Sequence, residues 1–185
     1  MHEVTQALWQ AVMGSNPSNF WGDLRRPVER VSWNECQMFI SKLNQLTGKR
    51  FRLPTEAEWE FAARGGNQSR GYKYAGSNNL YNVAWYNDNS GNTTHPVGMK
   101  SPNELGLYDM SGNVWEICQD WHGEYSSGSQ TNPSGPPASY PSGYHIGRGG
   151  CWRYDANHNR VAFRESWDEK SKNGYLGLRL AAGSL

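Results

Sequence analysis

Apolar residues recur at helical spacing in the first third of the chain, and each run is bounded by recognisable signals. Around residues 5–13, Leu8, Trp9 and Val12 fall on one face of a helix. Gly14 follows this run and suits the left-handed residue with which many helices end. The pattern therefore predicts a first short helix that ends at Gly14.

A second and longer helix is predicted by Ser32 and Glu35, whose S-x-x-E spacing is that of a capping box. Apolar residues then recur at helical spacing until Gly48, which again suits a helix end. The predicted core-facing positions of this helix are Cys36, Phe39, Ile40, Leu43 and Leu46.

A third helix is predicted after Pro54, where Thr55 and Glu58 repeat the capping-box spacing. It ends at the glycine pair that begins with Gly65. The residues expected to pack on this helix are Ala57, Trp59, Phe61 and Ala62.

From Tyr72 onward, the pattern changes to brief runs of aromatic and β-branched residues separated by turn dipeptides such as Ser111-Gly112. This pattern predicts short strands in a small twisted sheet, with the helices packed against it and long loops between. Residues 123–143 are polar and rich in proline, which is typical of a surface loop. We therefore predict one α+β domain over residues 1–185.

Composition limits the function classes. With 9 Trp, 10 Tyr and 5 Phe among only 36% hydrophobic residues, the core has to be built from a few large rings. A net charge of +1 and no long basic run argue against a nucleic-acid partner. No apolar run approaches the roughly 18 residues of a membrane span, and no signal-peptide segment is recognised.

The chain has 3 cysteines, which cannot all pair with one another and whose spacing matches no zinc motif. Cys36 and Cys118 lie in apolar surroundings and are predicted to be buried, inert thiols. Cys151 has two interpretations. It is either a small packing residue or, because Arg148 and Arg153 flank it, a reactive thiolate.

Several long strings rich in tryptophan and glycine resemble one family. They are RLPTEAEWEFAARGG at residues 52–66, GLYDMSGNVWEICQD at 106–120, RGGCW at 148–152 and GLRLA at 177–181. They resemble the signature blocks of formylglycine-generating-enzyme-like domains (sulfatase-modifying factor domains), a branch of the C-type lectin fold. The resemblance implies an α+β, C-type lectin-like fold with short strands, few helices and many loops. It leaves function open, because one scaffold can serve an oxygenase and a ligand-binding protein.

The resemblance also implies where an enzyme of this family would carry its chemistry. The formylglycine-generating enzymes use two cysteines shortly after an RGGS block to bind copper and the thiol of a substrate peptide. In this chain, Tyr154 stands at the first of these positions, and residues 157–159 near the second are Asn, His and Asn. The chain is therefore predicted not to be an enzyme, and a copper-dependent oxidase of peptide cysteine is the alternative.

Calcium is the structural metal that the resemblance implies, since the family binds it through loop oxygen atoms. No cofactor is otherwise required. An alternative is that these amides and carboxylates hydrogen-bond to loop backbone. The implied ligands are Asn113, the carbonyl of Val114 and Glu116 at one site, and Asn82, the carbonyl of Val83 and Asn89 at a second.

A candidate binding segment spans residues 151–176, where aromatic rings alternate with short polar side chains without helical or strand periodicity. Binding surfaces combine rigid rings with adaptable polar groups in this way. The alternative is an ordinary lectin-type loop with some rings in the core. Replacing Tyr154, Phe163 and Trp167 together with Ala is expected to abolish binding and to leave the unfolding transition nearly unchanged.

A second resemblance concerns the same segment. RGGCW, the string ANHNR at 156–160, Arg164 and GLRLA resemble the C-terminal region of variable proteins of diversity-generating retroelements, including treponemal variable proteins of this fold. In these proteins, template adenines are mutated and the changed side chains form one face. The resemblance implies a non-catalytic, monomeric protein that binds a protein or glycan ligand, with a surface or extracellular location by analogy. The implied ligand-binding residues are Arg153, Tyr154, Asp155, His158, Phe163, Glu165, Ser166, Trp167, Asp168, Asn173 and Tyr175.

Overall fold

The computed structural model describes residues 1–137 and 143–183 of the chain. Each predicted helix is present, and the second and third begin at the predicted caps. The side chains of Thr5, Ser32 and Thr55 accept hydrogen bonds from the first turns, and the last two form complete capping boxes. The helices are α1 (Gln6–Met13), α2 (Trp33–Thr47), α3 (Glu56–Ala63) and α4 (Leu80–Val83), with a short 3-10 helix at Gly66–Gln68.

The strands form two sheets. A four-stranded sheet has the order β4-β3-β2-β5, in which β2 pairs antiparallel with β3 and parallel with β5. A two-stranded antiparallel sheet joins β1 to β6 near the C-terminus. The strands are β1 (Phe51–Arg52), β2 (Trp115–Trp121), β3 (Tyr144–Arg148), β4 (Arg164–Asp168), β5 (Leu176–Gly177) and β6 (Ala181–Ala182).

Two strand predictions need correction. Residues 72–114 contain α4 and an isolated bridge between Tyr74 and Ser77, so the strands of the larger sheet begin only at Trp115. Conversely, the segment thought to lack strand periodicity contains β4. This strand lies at the edge of the sheet and is partly covered on both faces, so its sequence does not alternate between apolar and polar residues.

The main core lies between the larger sheet and the helices α1 and α2. Trp9 of α1 stacks on Phe39 of α2 with ring centroids 4.8 Å apart, and Trp115 of β2 is fully buried beside them. A second cluster places Trp59 of α3 against Ile146 of β3. Large rings therefore occupy the centres of both clusters, but the prediction of a core built mainly from rings needs correction, because most of the buried hydrophobic residues are Val, Ile and Leu.

Three residues predicted to pack in the core are exposed instead. Leu8 and Leu46 lie at the outer edges of α1 and α2, and Phe61 is 57% exposed on α3. A helix covers the core with one stripe only, and these side chains fall just outside it. Phe61 also lines a cavity, which is described below.

No helix among residues 1–137 and 143–183 is long and apolar enough to cross a membrane. Residues 123–137 of the predicted surface loop contain no helix or strand, and residues 138–142 lie outside the described part of the chain. The division of the chain into one domain with a variable segment at 151–176 stays a prediction.

Candidate binding face

Two glycines start the candidate segment by turning the chain out of β3. Gly149 and Gly150 have φ values of 94° and 75°, which side-chain-bearing residues rarely adopt. A Cβ atom on Gly150 would lie 2.4 Å from Oδ1 of the buried Asn159. The amide of Asn159 donates to the carbonyls of Tyr154 and Asp155 at 3.2 and 2.6 Å, which closes the loop. These buried contacts thus fix the backbone of the loop between Gly149 and Asn159.

The rings of the segment pack around Trp115, which sequence reasoning did not include in the site. Tyr154, Phe163 and Trp167 lie with their ring centroids 6.1, 6.0 and 6.4 Å from that of Trp115. Tyr175 continues the group at 5.9 Å from Tyr154 and 5.7 Å from Trp167. We call Tyr154, Phe163, Trp167 and Tyr175 the aromatic platform. Each of its rings is partly buried against the core, so the platform belongs to both core and surface.

A polar rim beside the platform consists of Arg153, Asp155, His158 and Glu165. The imidazole of His158 lies 4.9 Å from Tyr154 and 4.7 Å from Phe163, and its Nδ1 is 2.7 Å from Oδ1 of Asp155. The same carboxylate accepts the backbone N–H of Asn157 at 2.9 Å. The hydrogen bond from His158 lowers the pKa of Asp155, which keeps the carboxylate charged.

The other predicted polar residues make short-range contacts. Glu165 accepts from the backbone N–H of Ser166, Asp168 accepts from that of Lys170, and the guanidinium of Arg153 lies 5.8 Å from the ring of Tyr175. Asn173 contributes its backbone, since its carbonyl accepts from Arg30 and Leu176, each at 3.0 Å. Side chains alternate along β4, so Glu165 and Trp167 lie on the platform side of the strand, whereas Ser166 and Asp168 lie on the side of Arg164. The structure therefore does not bring all the predicted residues onto one surface, and their role in ligand binding stays a prediction.

Charged residues beneath the face hold β4 to α3. Arg164 forms a two-pronged ion pair with Glu56 at 2.6 and 2.8 Å, and the ring of Tyr125 lies 4.0 Å from its guanidinium. The fully buried Arg148 donates to the carbonyl of Phe163 and pairs with Glu56 and Glu60. Glu56 and Glu60 lie more than 80 positions before Arg148 and Arg164 in the chain, so no local pattern in the sequence could identify these ion pairs.

The thiols of Cys36, Cys118 and Cys151 are all free and buried. Burial raises the pKa of each of them, for Cys151 to about 12. A buried, protonated thiol is a poor nucleophile and a poor copper ligand. The placement of Cys151 therefore favours the packing interpretation over a reactive thiolate.

At the first predicted calcium site, the side-chain oxygen atoms of Asn113 and Glu116 already have protein partners. Oδ1 of Asn113 accepts from the backbone of His95 at 2.9 Å, and its amide donates to Glu3 at 2.8 Å. The buried guanidinium of Arg179 donates to both oxygens of Glu116 at 2.8–3.1 Å. Val114, whose carbonyl is the third implied ligand, is a buried residue. The placed side chains do not fit a calcium ion, because a cation already neutralises the only carboxylate of the set.

The second predicted calcium site is organised as a turn. Asn89 accepts from the backbone N–H of Tyr86 and donates to the carbonyl of Ala84, both at 2.9 Å. Asn82 and Val83 form the end of α4. Among residues 1–137 and 143–183, no three His, Cys, Asp or Glu side chains are grouped as a metal site. Calcium at either position stays a prediction.

Comparisons with known proteins agree with this architecture. The chain is 34% identical over 229 residues to the chaperone protein LppX of Paenibacillus barcinonensis, which covers 97% of this chain and 77% of that protein. It is 34% identical over 195 residues to the formylglycine-generating enzyme of Streptomyces coelicolor, covering 96% of this chain but only 59% of the enzyme. The chain thus spans less than two thirds of that enzyme's length.

Among solved structures, the Treponema denticola variable protein 1 superposes with a TM-score of 0.90 at 35% identity, over 98% of this chain and 82% of that one. This match confirms the predicted α+β fold of the C-type lectin type and the resemblance to variable proteins. The sequence pattern of the sulfatase-modifying factor enzyme 1-like domain matches residues 1–183. The chain therefore belongs to the family of sulfatase-modifying factor enzyme 1-like domains.

Proposed function

We propose that this chain is a non-catalytic binding protein whose face at residues 151–176 is diversified by a retroelement and engages a protein or glycan ligand. The observation that carries the proposal is the aromatic platform. Three of its rings pack against Trp115, the fourth, Tyr175, packs against Tyr154 and Trp167, and all four are only partly buried. Rings held in this way offer a large contact area at little cost in side-chain entropy.

The scaffold supports diversification because its stabilising contacts do not depend on the rim residues. Arg164 is held by Glu56 and Arg179 by Glu116, whereas the carboxylate of Asp155 bonds to His158 in its own loop and that of Glu165 to the backbone of the next residue in β4. Exposed positions of this kind usually tolerate substitution within about 0.5 kcal/mol. A ligand-binding face can therefore vary at the rim while the fold is retained.

The chemistry of the face suits a ligand with both apolar and polar groups. The platform can take up flat or apolar groups, and a few such rings at the centre of an interface can contribute roughly 2 kcal/mol or more each. Arg153, Asp155 and Glu165 supply charges of both signs at the rim. Protein surfaces and glycans both present such mixtures, and the protein would bind them as a monomer.

The alternative function, copper-dependent oxidation of a peptide cysteine, has less support. Such chemistry requires an accessible thiolate pair, whereas the thiols of Cys36, Cys118 and Cys151 are buried. The relatives that are formylglycine-generating enzymes keep this alternative open to test. Incubation with a cysteine-containing peptide, copper and oxygen, followed by mass spectrometry, would detect the aldehyde product.

Sequencing of the 3′ end of the gene in many cells of the source population tests the proposal. We expect substitutions at template adenines that change residues 153–175. The codons of α3, which contributes none of the face residues, serve as the matched internal control and should be constant. A nearby near-repeat of the segment should supply the template. A segment as constant as the α3 codons, with no template copy, would refute diversification.

A further inference from the structure

A cavity of about 550 Å³ lies between α3 and the segment at residues 123–136, apart from the aromatic platform. Small-molecule sites commonly enclose roughly 300–1,000 Å³, so the cavity has the size of a binding site. Asp120 at the penultimate position of β2 and Arg164 at the start of β4 contribute to its lining. No residue of the calcium sites and no ring of the platform lines it.

Two exposed rings form apolar walls of this cavity. Phe61 on α3 is 57% exposed and Tyr125 on the opposing segment is 65% exposed. Pro133 and Pro136 add apolar surface beside them. Large side chains that remain exposed around a concave surface mark ligand or interaction sites more often than isolated surface rings do. Phe61 was predicted from the sequence to pack in the core, and its exposure is explained if it contacts a ligand instead.

The charges of the cavity leave an excess of carboxylates. Both oxygens of Glu56 are engaged by Arg164, at 2.6 and 2.8 Å, and Glu60 pairs with Arg64 at 2.6 Å and with the buried Arg148. Arg64 and Arg164, the two guanidinium groups that line the cavity, are therefore each already engaged by a carboxylate. An anionic ligand would find no free cation among them and would approach these carboxylates instead.

Asp120 and Glu124 are the carboxylates without such a partner. Within residues 1–137 and 143–183, neither of them forms a salt bridge. Asp120 is only 4% exposed, and Oδ2 accepts the backbone N–H of Glu56 at 2.8 Å. Burial of an uncompensated charge is unfavourable, so a cation that entered the cavity would relieve it. Glu124 is exposed and adds a second negative charge to the lining.

We infer that this cavity binds a small organic cation, with an ammonium group at Asp120 and Glu124 and an aliphatic or aromatic body against Phe61 and Tyr125. An ammonium donates charge-assisted hydrogen bonds to carboxylates, which are stronger than hydrogen bonds between neutral groups. The apolar body gains from leaving water beside the rings. This inference does not rest on diversification of the face.

The first test uses the unaltered protein and three probes of nearly equal shape. Isothermal titration calorimetry with phenethylammonium, 2-phenylethanol and 3-phenylpropanoate compares a cation, a neutral molecule and an anion. We expect the cation to bind at least tenfold more tightly than either of the others. Equal binding of all probes, or no binding of the cation, overturns the inference.

Two variants then locate the binding. Asp120→Asn keeps the shape and removes the charge, and it should weaken binding of phenethylammonium at least tenfold. Ala57→Phe fills the cavity from α3, leaves every charge in place, and should abolish binding. The matched control is Asp88→Asn, which removes an exposed carboxylate outside the cavity and should leave binding unchanged.

Further measurements distinguish loss of the cavity site from misfolding of a variant and from binding of the probe to the aromatic platform. The circular dichroism spectra of the variants should match that of the unaltered protein. If Asp120→Asn does not fold, the affinity of Ala57→Phe for phenethylammonium and the comparison of the three probes still test the inference. Unchanged affinity in both variants would place the probe elsewhere and overturn the inference. Trp167→Ala, on the platform, should leave phenethylammonium binding unchanged, so failure of the proposed function and failure of this inference are distinguishable.

Discussion

The partial burial of the aromatic platform predicts that Trp167→Ala destabilises the protein. A fully enclosed tryptophan buries roughly 150–250 Å², so a partly buried one loses on the order of 120 Å² from water. At about 25 cal/mol/Å² this burial contributes ~3 kcal/mol. Nε1 of Trp167 is buried and has no hydrogen-bond partner within residues 1–137 and 143–183, and removing that donor returns ~1 kcal/mol. The net expected loss is ~2 kcal/mol.

Thermal and urea unfolding, followed by circular dichroism, measure this loss. For a protein of this size, ~2 kcal/mol lowers Tm by roughly 4–8 °C. Trp21 provides a matched control because it is the same residue type and is 79% exposed. Trp21→Ala should change the free energy of unfolding by less than about 0.5 kcal/mol. Equal losses in the two variants would refute the assignment of Trp167 to the core side of the platform.

This reasoning revises one expectation from the sequence. Replacing Tyr154, Phe163 and Trp167 together was expected to leave the unfolding transition nearly unchanged. With ~2 kcal/mol at each position, the combined loss approaches the roughly 5–15 kcal/mol that stabilises a typical domain. Because each of these rings contacts Trp115, single variants are the appropriate means of separating binding from stability.

Three further predictions concern the charged groups. Burial raises the pKa of Asp120 to about 6. The folded state therefore holds more protons than the unfolded chain between about pH 4 and pH 6. The free energy of unfolding should fall as the pH rises through that range. Asp120→Asn should reduce this fall in urea titrations at several pH values, and Asp88→Asn should not. Glu116→Gln leaves the buried Arg179 without its ion-pair partner and should lower the free energy of unfolding in urea by about 3 kcal/mol. An equal loss from Glu165→Gln would contradict a special stabilising role for the Glu116–Arg179 pair. Chelation with EGTA should leave Tm unchanged, and a fall that calcium but not magnesium reverses would establish the calcium site.

The helices could be predicted from the sequence because their signals are local. A capping box joins residues three positions apart, such as Ser32 and Glu35, so the spacing of the letters is also the spacing of the hydrogen bond. The end of α2 at Gly48 is equally local, since its φ of 67° is a property of one residue. The face residues are likewise identified from contiguous motifs, and their role in binding stays a prediction.

The support beneath the face could not be predicted, because it depends on long-range pairs. Arg164 and Glu56 are 108 positions apart, and Arg179 and Glu116 are 63 apart. Strand β4 likewise takes its conformation from pairing with β3 rather than from its own composition. The exposure of Phe61 depends on the position of the segment at 123–136. The helical spacing of apolar residues carries no information about that position.

The position of the platform between core and surface limits how the face can vary. At Tyr154, Phe163 and Trp167, a small polar residue would expose Trp115 and cost stability, so these positions should retain rings or large apolar groups across a population of variants. At Arg153, Asp155 and Asp168, the side chains are exposed and their contacts are local, so charge and size can change freely. Deep sequencing should therefore find broad substitution at the rim and narrower, ring-rich substitution at the platform. Equal breadth at both would mean that stability does not depend on the rings. The same contacts with Trp115 that hold the platform in place would thus set the repertoire of ligands available to the face.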